Sequence, residues 1–137
     1  MLGKRKVRKN VFELMFGFEF NKEEAPLTYY ERAYDNFTCQ DDEEQSVKKL
    51  FIGICENIDK IDKIIGDYLN GWKLSRLSKA TLSILRISVY EIVISKLAPA
   101  VSINEAVELA KEYAEDGAPR YINGVLNNIS KSLKDDN

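Results

Sequence analysis

Apolar residues along this chain recur every three or four positions, and no segment alternates convincingly at a period of two, so the pattern predicts helices and no sheet. From about Lys4 to Phe20, Val7, Val11, Leu14, Met15 and Phe18 make one stripe, while Lys4, Arg5, Arg8 and Lys9 gather on a different side at the start. Pro26 opens a second helix through Tyr30, Ala33, Tyr34 and Phe37, and the segment from Cys39 to Gln45 ends it. Val47, Leu50, Phe51, Ile54 and Ile58 form a third stripe, with Asp41 or Asp42 expected as the N-cap and the acid run near the positive helix end. After a break around Asn57 to Asp59, Ile58, Ile61, Ile65 and Leu69 form a fourth, and Gly71-Trp72 closes the first half.

From Thr81 to about Leu97 apolar residues occur almost all round, the signature of a buried central helix. Arg86 interrupts it, and a buried arginine is costly unless paired, so a carboxylate partner is expected that the sequence does not name. Ala98-Pro99 is expected to terminate this helix. Ser102 and Glu105 then have the spacing of a capping box, predicting a helix start at Ser102, with Ile103, Ala106, Val107 and Ala110 as its apolar stripe and Glu108 within reach of Lys111. Pro119 suits the first turn of a last helix. In that helix Asn123-Gly124 stands out, because an interior glycine costs about 1 kcal/mol relative to alanine and usually marks the close approach of another backbone. Ser130 to Asn137 reads as a polar tail that frays.

The 137 residues suit one domain, with helical halves over about 4–70 and 72–134, and an apolar fraction of 45% suffices for a core. Cys39 and Cys55 stand apart with no histidine anywhere, so neither a disulfide framework nor a metal site is signalled, and no cofactor loop or nucleophile motif occurs. Without histidine the commonest general base is also missing, so the expectation is a binding protein, not an enzyme. No apolar run is long enough for a membrane span or a signal peptide, and the expected location is the cytoplasm.

Net charge is −2, which by itself argues mildly against nucleic acid, but the distribution is dipolar. Residues 1–10 hold five cations and no acid, whereas residues 19–45 hold nine acids against Lys22 and Arg32. Cations at a helix N-terminus oppose the macrodipole at about 0.3–1 kcal/mol each, so stability alone does not place them there. Taken alone, such a leader also suits a solubilising tail.

Three blocks in fixed order resemble the NusB family of bacterial transcription antitermination factors. They are Lys4-Arg5-Lys6-Val7-Arg8 leading into Phe12-Glu13-Leu14-Met15-Phe16; Trp72 to Leu77 followed by Thr81 through Glu91; and Val101 to Lys111 followed by Pro119 to Leu126. The resemblance implies an all-α fold of about seven helices in two small packed bundles. It implies a factor that binds the single-stranded boxA element of ribosomal RNA leader transcripts as a heterodimer with the ribosomal protein NusE, within the antitermination complex of RNA polymerase. Self-association into a homodimer is implied for some members.

On this reading Arg5 and Arg8 fork onto phosphate oxygens, Lys4, Lys6 and Lys9 add to the field, and Phe16, Arg86 and Tyr121 match family positions near the RNA surface. The chain departs from the family pattern in ways that lower RNA affinity: Glu13 for a glutamine, Phe16 for a tyrosine, Ala100 for a lysine and Leu82 for an arginine. Gly117 stands for an acid, and Ala118 for a serine that would cap the last helix. Competing readings are a helical protein-interaction module without RNA affinity, and a NusB-like domain detached from a ribosomal RNA methyltransferase.

Overall fold

The computed structural model describes residues 3–34 and 41–135, without the side chains of residues 4, 34, 41–43 and 135; expectations that fall on Phe37 and Cys39 lie outside it. Among the described residues there are seven α-helices and no strand. They divide into two compact units, Met1–Glu56 and Asn57–Asn137.

In the first unit, α1 (Gly3–Phe18) packs on α2 (Pro26–Tyr34) and α3 (Asp41–Glu56), and α2 packs on α3. The apolar stripes account for the core. Val11, Leu14, Met15, Val47, Phe51 and Ile54 are fully buried, as their spacing predicts. Phe51 sits among three further rings, with centroids 5.8 Å from Phe18, 6.1 Å from Tyr29 and 6.2 Å from Tyr30. The Tyr29 hydroxyl approaches α1 directly over Gly17, leaving no room there for a β-carbon. α3 begins at Asp41, so Asp41 and Asp42 both lie inside its first turn and not at the N-cap position.

In the second unit, α5 (Lys79–Val89) is the centrepiece, packed on α4 (Ile58–Asp67), α6 (Pro99–Tyr113) and α7 (Ala118–Asp135). Every residue from Ala80 to Val89 is buried. The helix starts two residues before Thr81, because the Ser78 hydroxyl accepts from the Thr81 N–H at 3.1 Å and caps it. It ends before the expected Pro99 stop. The backbone widens into a π turn over Tyr90–Ile94, Ser95 N–H reaches the Tyr90 carbonyl and Leu97 N–H the Glu91 carbonyl, and Lys96 takes the left-handed conformation with φ 59°. Pro99 instead begins α6, after Ala98 has turned to ψ 123°.

That earlier start overturns the capping box. Ser102 lies inside α6, 1% exposed, and its hydroxyl donates to Glu91 Oε1 at 2.9 Å. Since that proton is spent on the carboxylate, the 2.7 Å contact between Ser88 and Ser102 is donated by Ser88. The Glu108–Lys111 pair forms at 3.3 Å as expected.

Three expectations for the last helix also change. Gly117, at φ +88°, is its N-cap, with its carbonyl accepting from Tyr121 N–H; Ala118 is already the first helical residue, so a serine there would not be the N-cap. The stripe Ile122, Val125, Leu126 and Ile129 carries the helix on through a buried Ser130 to Asp135, and residues 130–135 are not a frayed tail. Gly124 has nothing among the described residues within 4 Å of where a β-carbon would stand, so no other described backbone packs against it.

Candidate nucleic-acid interface

Helical geometry sorts the basic leader into faces. Positions 5, 9, 12, 16 and 20 follow steps of four, three, four and four, so Arg5, Lys9, Phe12 and Phe16 fall on one side of α1, and Phe20 follows in the turn just beyond it. Arg5 and Lys6 are exposed, Lys9 is half-buried, and Lys4 lies in the first turn. Arg8 points elsewhere on the wheel and is only 6% exposed.

The aromatic residues on that side form a ladder from core to solvent. Phe12, nearly buried, stacks on Phe16 with centroids 5.9 Å apart and planes 26° apart; Phe16 meets Phe20 edge-on at 5.4 Å. Phe16 is 37% exposed and Phe20 62%, so the ladder ends in exposed rings. From Arg5 to Phe16 the rise along α1 is about 16 Å. Sequence reasoning selected Phe16 and missed Phe20, although its spacing of four from Phe16 was the available signal. Glu13 is exposed on α1, one turn past Lys9.

In the second unit Arg86 is nine-tenths buried and has the carboxylate partner its burial demands. Its Nε and Nη2 donate to the two oxygens of Asp62 at 2.9 and 2.8 Å, a two-pronged pair between α5 and α4. A guanidinium held this way ties two helices together and has little surface left for a phosphate.

Tyr121, in the first turn of α7, is 37% exposed, and partial burial pushes its phenol above the usual range. It lines a hollow of about 300 Å³ together with Trp72, Arg76, Ser78, Thr81 and Glu115. The Glu115 carboxylate takes the Ser78 hydroxyl at 2.9 Å and the Thr81 hydroxyl at 3.1 Å, both on Oε1. Its own backbone N–H and these two hydroxyls hold the carboxyl below its usual range, against the opposing effect of burial. Sequence reasoning missed this hollow, because residues 72–81 and 115–121 meet only through the packing of α5 on α6 and α7.

The sequence model of the NusB family matches residues 5–131, nearly the whole chain. The chain belongs to the NusB family. Among curated NusB relatives, the transcription antitermination protein of Clostridium novyi is 40% identical, over 96% of this chain and 100% of that protein. That of Campylobacter hominis is 35% identical, over 96% and 98%. Among solved structures, NusB of T. maritima is 31% identical with a TM-score of 0.84, covering 93% of this chain and 89% of that one. A chain from the crystal structure of antitermination factors NusB and NusE in complex with double-stranded RNA is 27% identical with a TM-score of 0.83, covering 96% and 98%. The all-helical architecture of this NusB-family chain is thus that of its relatives. No helix among its described residues is long and apolar enough to cross a membrane.

Proposed function

We propose that this chain is a cytoplasmic transcription antitermination factor that binds the boxA element of ribosomal RNA leader transcripts as a heterodimer with the ribosomal protein NusE, keeping RNA polymerase resistant to termination. The observation that carries the reading is the likeness, over almost the full length of both chains, to a component of a NusB–NusE–RNA complex. Its chemistry is recognition and involves no bond-breaking step.

The side chains suit an unpaired strand. Arg5, Lys6 and Lys9, with Lys4 in the same turn, supply cations for phosphates, and Phe16 and Phe20 supply ring faces on which bases stack. A duplex hides its base faces, so exposed rings favour a single strand as the target. Arg8 is buried and Arg86 is buried and paired with Asp62, so phosphate contact falls to Arg5 and the lysines. With about four phosphates neutralised on a single strand, log affinity against log salt has a slope of about −3.

An electrophoretic shift with boxA RNA and purified NusE tests the reading. A ternary complex at moderate salt, weakening with that slope, supports it; failure of any combination of the two partners to shift with the chain overturns it in favour of a protein-interaction module.

A further inference from the structure

The hollow beside Tyr121 combines three chemical features. Trp72 is 62% exposed and Tyr121 37%, so the lining includes two aromatic surfaces of which solvent sees a large part. Neither ring makes a hydrogen bond or ring contact among the described residues. Arg76, also exposed and without an ion pair among the described residues, stands at the same hollow as a cation.

The third feature is an oriented acceptor. Glu115 Oε1 is occupied by two hydroxyls, and Ser78 is itself fixed by accepting from the Thr81 N–H at the start of α5. The carboxylate therefore cannot swing freely, and no other side chain among the described residues donates to its second oxygen. With these two hydroxyls and its own backbone N–H as donors, the carboxylate keeps lone-pair capacity to accept one further hydrogen bond from a ligand.

Space, aromatic surface, cation and fixed acceptor are what a splayed nucleotide requires. Stacking on rings is tolerant of base identity, worth about 1–3 kcal/mol per base, and so supplies affinity without choice. A carboxylate oxygen does choose. It accepts from the exocyclic amine of cytosine, whereas uracil presents a carbonyl at the same ring position and two negative dipoles meet.

The geometry points to this hollow as a reading site for one unpaired base, in which Trp72 and Tyr121 provide the stacking surface, Arg76 the phosphate contact, and Glu115 the selection of cytosine over uracil. The inference rests on the chain being an RNA-binding factor and goes beyond it in assigning base choice to a residue. The exposed positions of Trp72 and Glu115 mean that both can be changed without opening the core.

Trp72 is the single tryptophan of the chain, so its emission reports on the hollow directly. The full-length protein is titrated with short oligo(C) and oligo(U), which differ at the base position in question, and a mobility shift is run on the same samples. Oligo(C) is expected to quench Trp72 and to bind about tenfold more tightly than oligo(U), the discrimination of one good base contact. Glu115→Gln keeps an acceptor for the two hydroxyls and turns an amide N–H₂ toward the base, so it is expected to abolish or reverse that preference. Trp72→Ala is expected to weaken both oligonucleotides alike.

Binding in the mobility shift without any change in Trp72 emission overturns the inference while leaving the proposed function standing. So does an unchanged pyrimidine preference in Glu115→Gln, or quenching of Trp72 by NusE and not by RNA, which would make the hollow a protein contact. Absence of binding to every RNA, boxA with NusE included, overturns the proposed function and this inference with it.

Discussion

Ser102 donates its hydroxyl proton to Glu91 across 2.9 Å, from the first turn of α6 to the π turn that ends the central helix, with Ser88 donating in turn to Ser102. All three groups are buried. A carboxylate at such a site is tolerable only with donors around it, so the pair holds α6 against the end of α5 by a polar contact in an otherwise apolar layer. Ser102→Ala leaves a buried acceptor short of a partner and is expected to cost about 2–3 kcal/mol. Ser88→Ala removes only the outer donor and should cost less. Urea midpoints of the two variants check the order; equal and small losses would mean the cluster carries no weight.

The Arg86–Asp62 fork gives a second stability test. Asp62→Ala removes the two-pronged acceptor of a guanidinium that is almost fully buried and is expected to lower stability by about 3–5 kcal/mol. Replacing both partners by apolar residues of similar volume should recover much of the loss. A thermal melt of the single and double variants decides it.

Two helical glycines should respond with opposite signs to the same substitution. Gly17→Ala drives a methyl into the Tyr29 hydroxyl, in a ring held by Phe18 and Phe51, and is expected to destabilise by about 1–3 kcal/mol, with Tyr29→Phe restoring part of it. Gly124→Ala meets open space and should stabilise by about 0.5–1 kcal/mol through helix propensity. Chemical denaturation of each variant reads both effects.

Charge reversal separates binding from folding on α1. Arg5→Glu with Lys6→Glu removes two exposed cations from a helix N-terminus, where carboxylates are favoured, so the melting midpoint is expected to hold or rise slightly. RNA affinity should fall and the magnitude of the salt slope drop by about 1.4. A collapse of the melting midpoint would show instead that the two side chains hold the fold. Glu13→Gln, which removes the acid one turn past Lys9, should raise affinity at low salt and lose its effect at high salt.

Acid should weaken the clamp at Glu115. Its carboxyl lies below the ordinary value of 4.5 because it accepts its own backbone N–H and the Ser78 and Thr81 hydroxyls, so the folded chain binds that proton less readily than the unfolded one. The contribution is complete above the ordinary value and is lost as pH falls through the lowered one. Melting midpoints of the parent and Glu115→Gln are therefore expected to differ most near neutrality and to converge in acid. A constant difference across that window would mean the carboxylate charge is not what the hydroxyls hold.

The helices were legible in the chain because their cause is local. Val47, Phe51 and Ile54, or Ile122, Leu126 and Ile129, share a face through spacing alone, and burying that face is what makes a segment helical. The need of Arg86 for an acid was equally readable, since the cost of a buried charge does not depend on which residue offsets it. The leader cations were legible as a cluster at a helix start, and the family likeness gave them and Phe16 an expected role.

What tertiary structure decided is partnership. Ser102 and Glu105 have capping spacing, but Pro99 starts the helix a turn earlier and the hydroxyl turns inward to Glu91, a residue that only the packing of α6 on α5 brings near. Asp62 was one acid among many until α4 lay against α5. The hollow of Trp72, Glu115 and Tyr121 draws on segments more than thirty residues apart, as its Ser78–Glu115 hydrogen bond records. Periodicity is a property of neighbours along the chain, whereas pairing energies belong to neighbours in space, and those exist only once the helices have found each other.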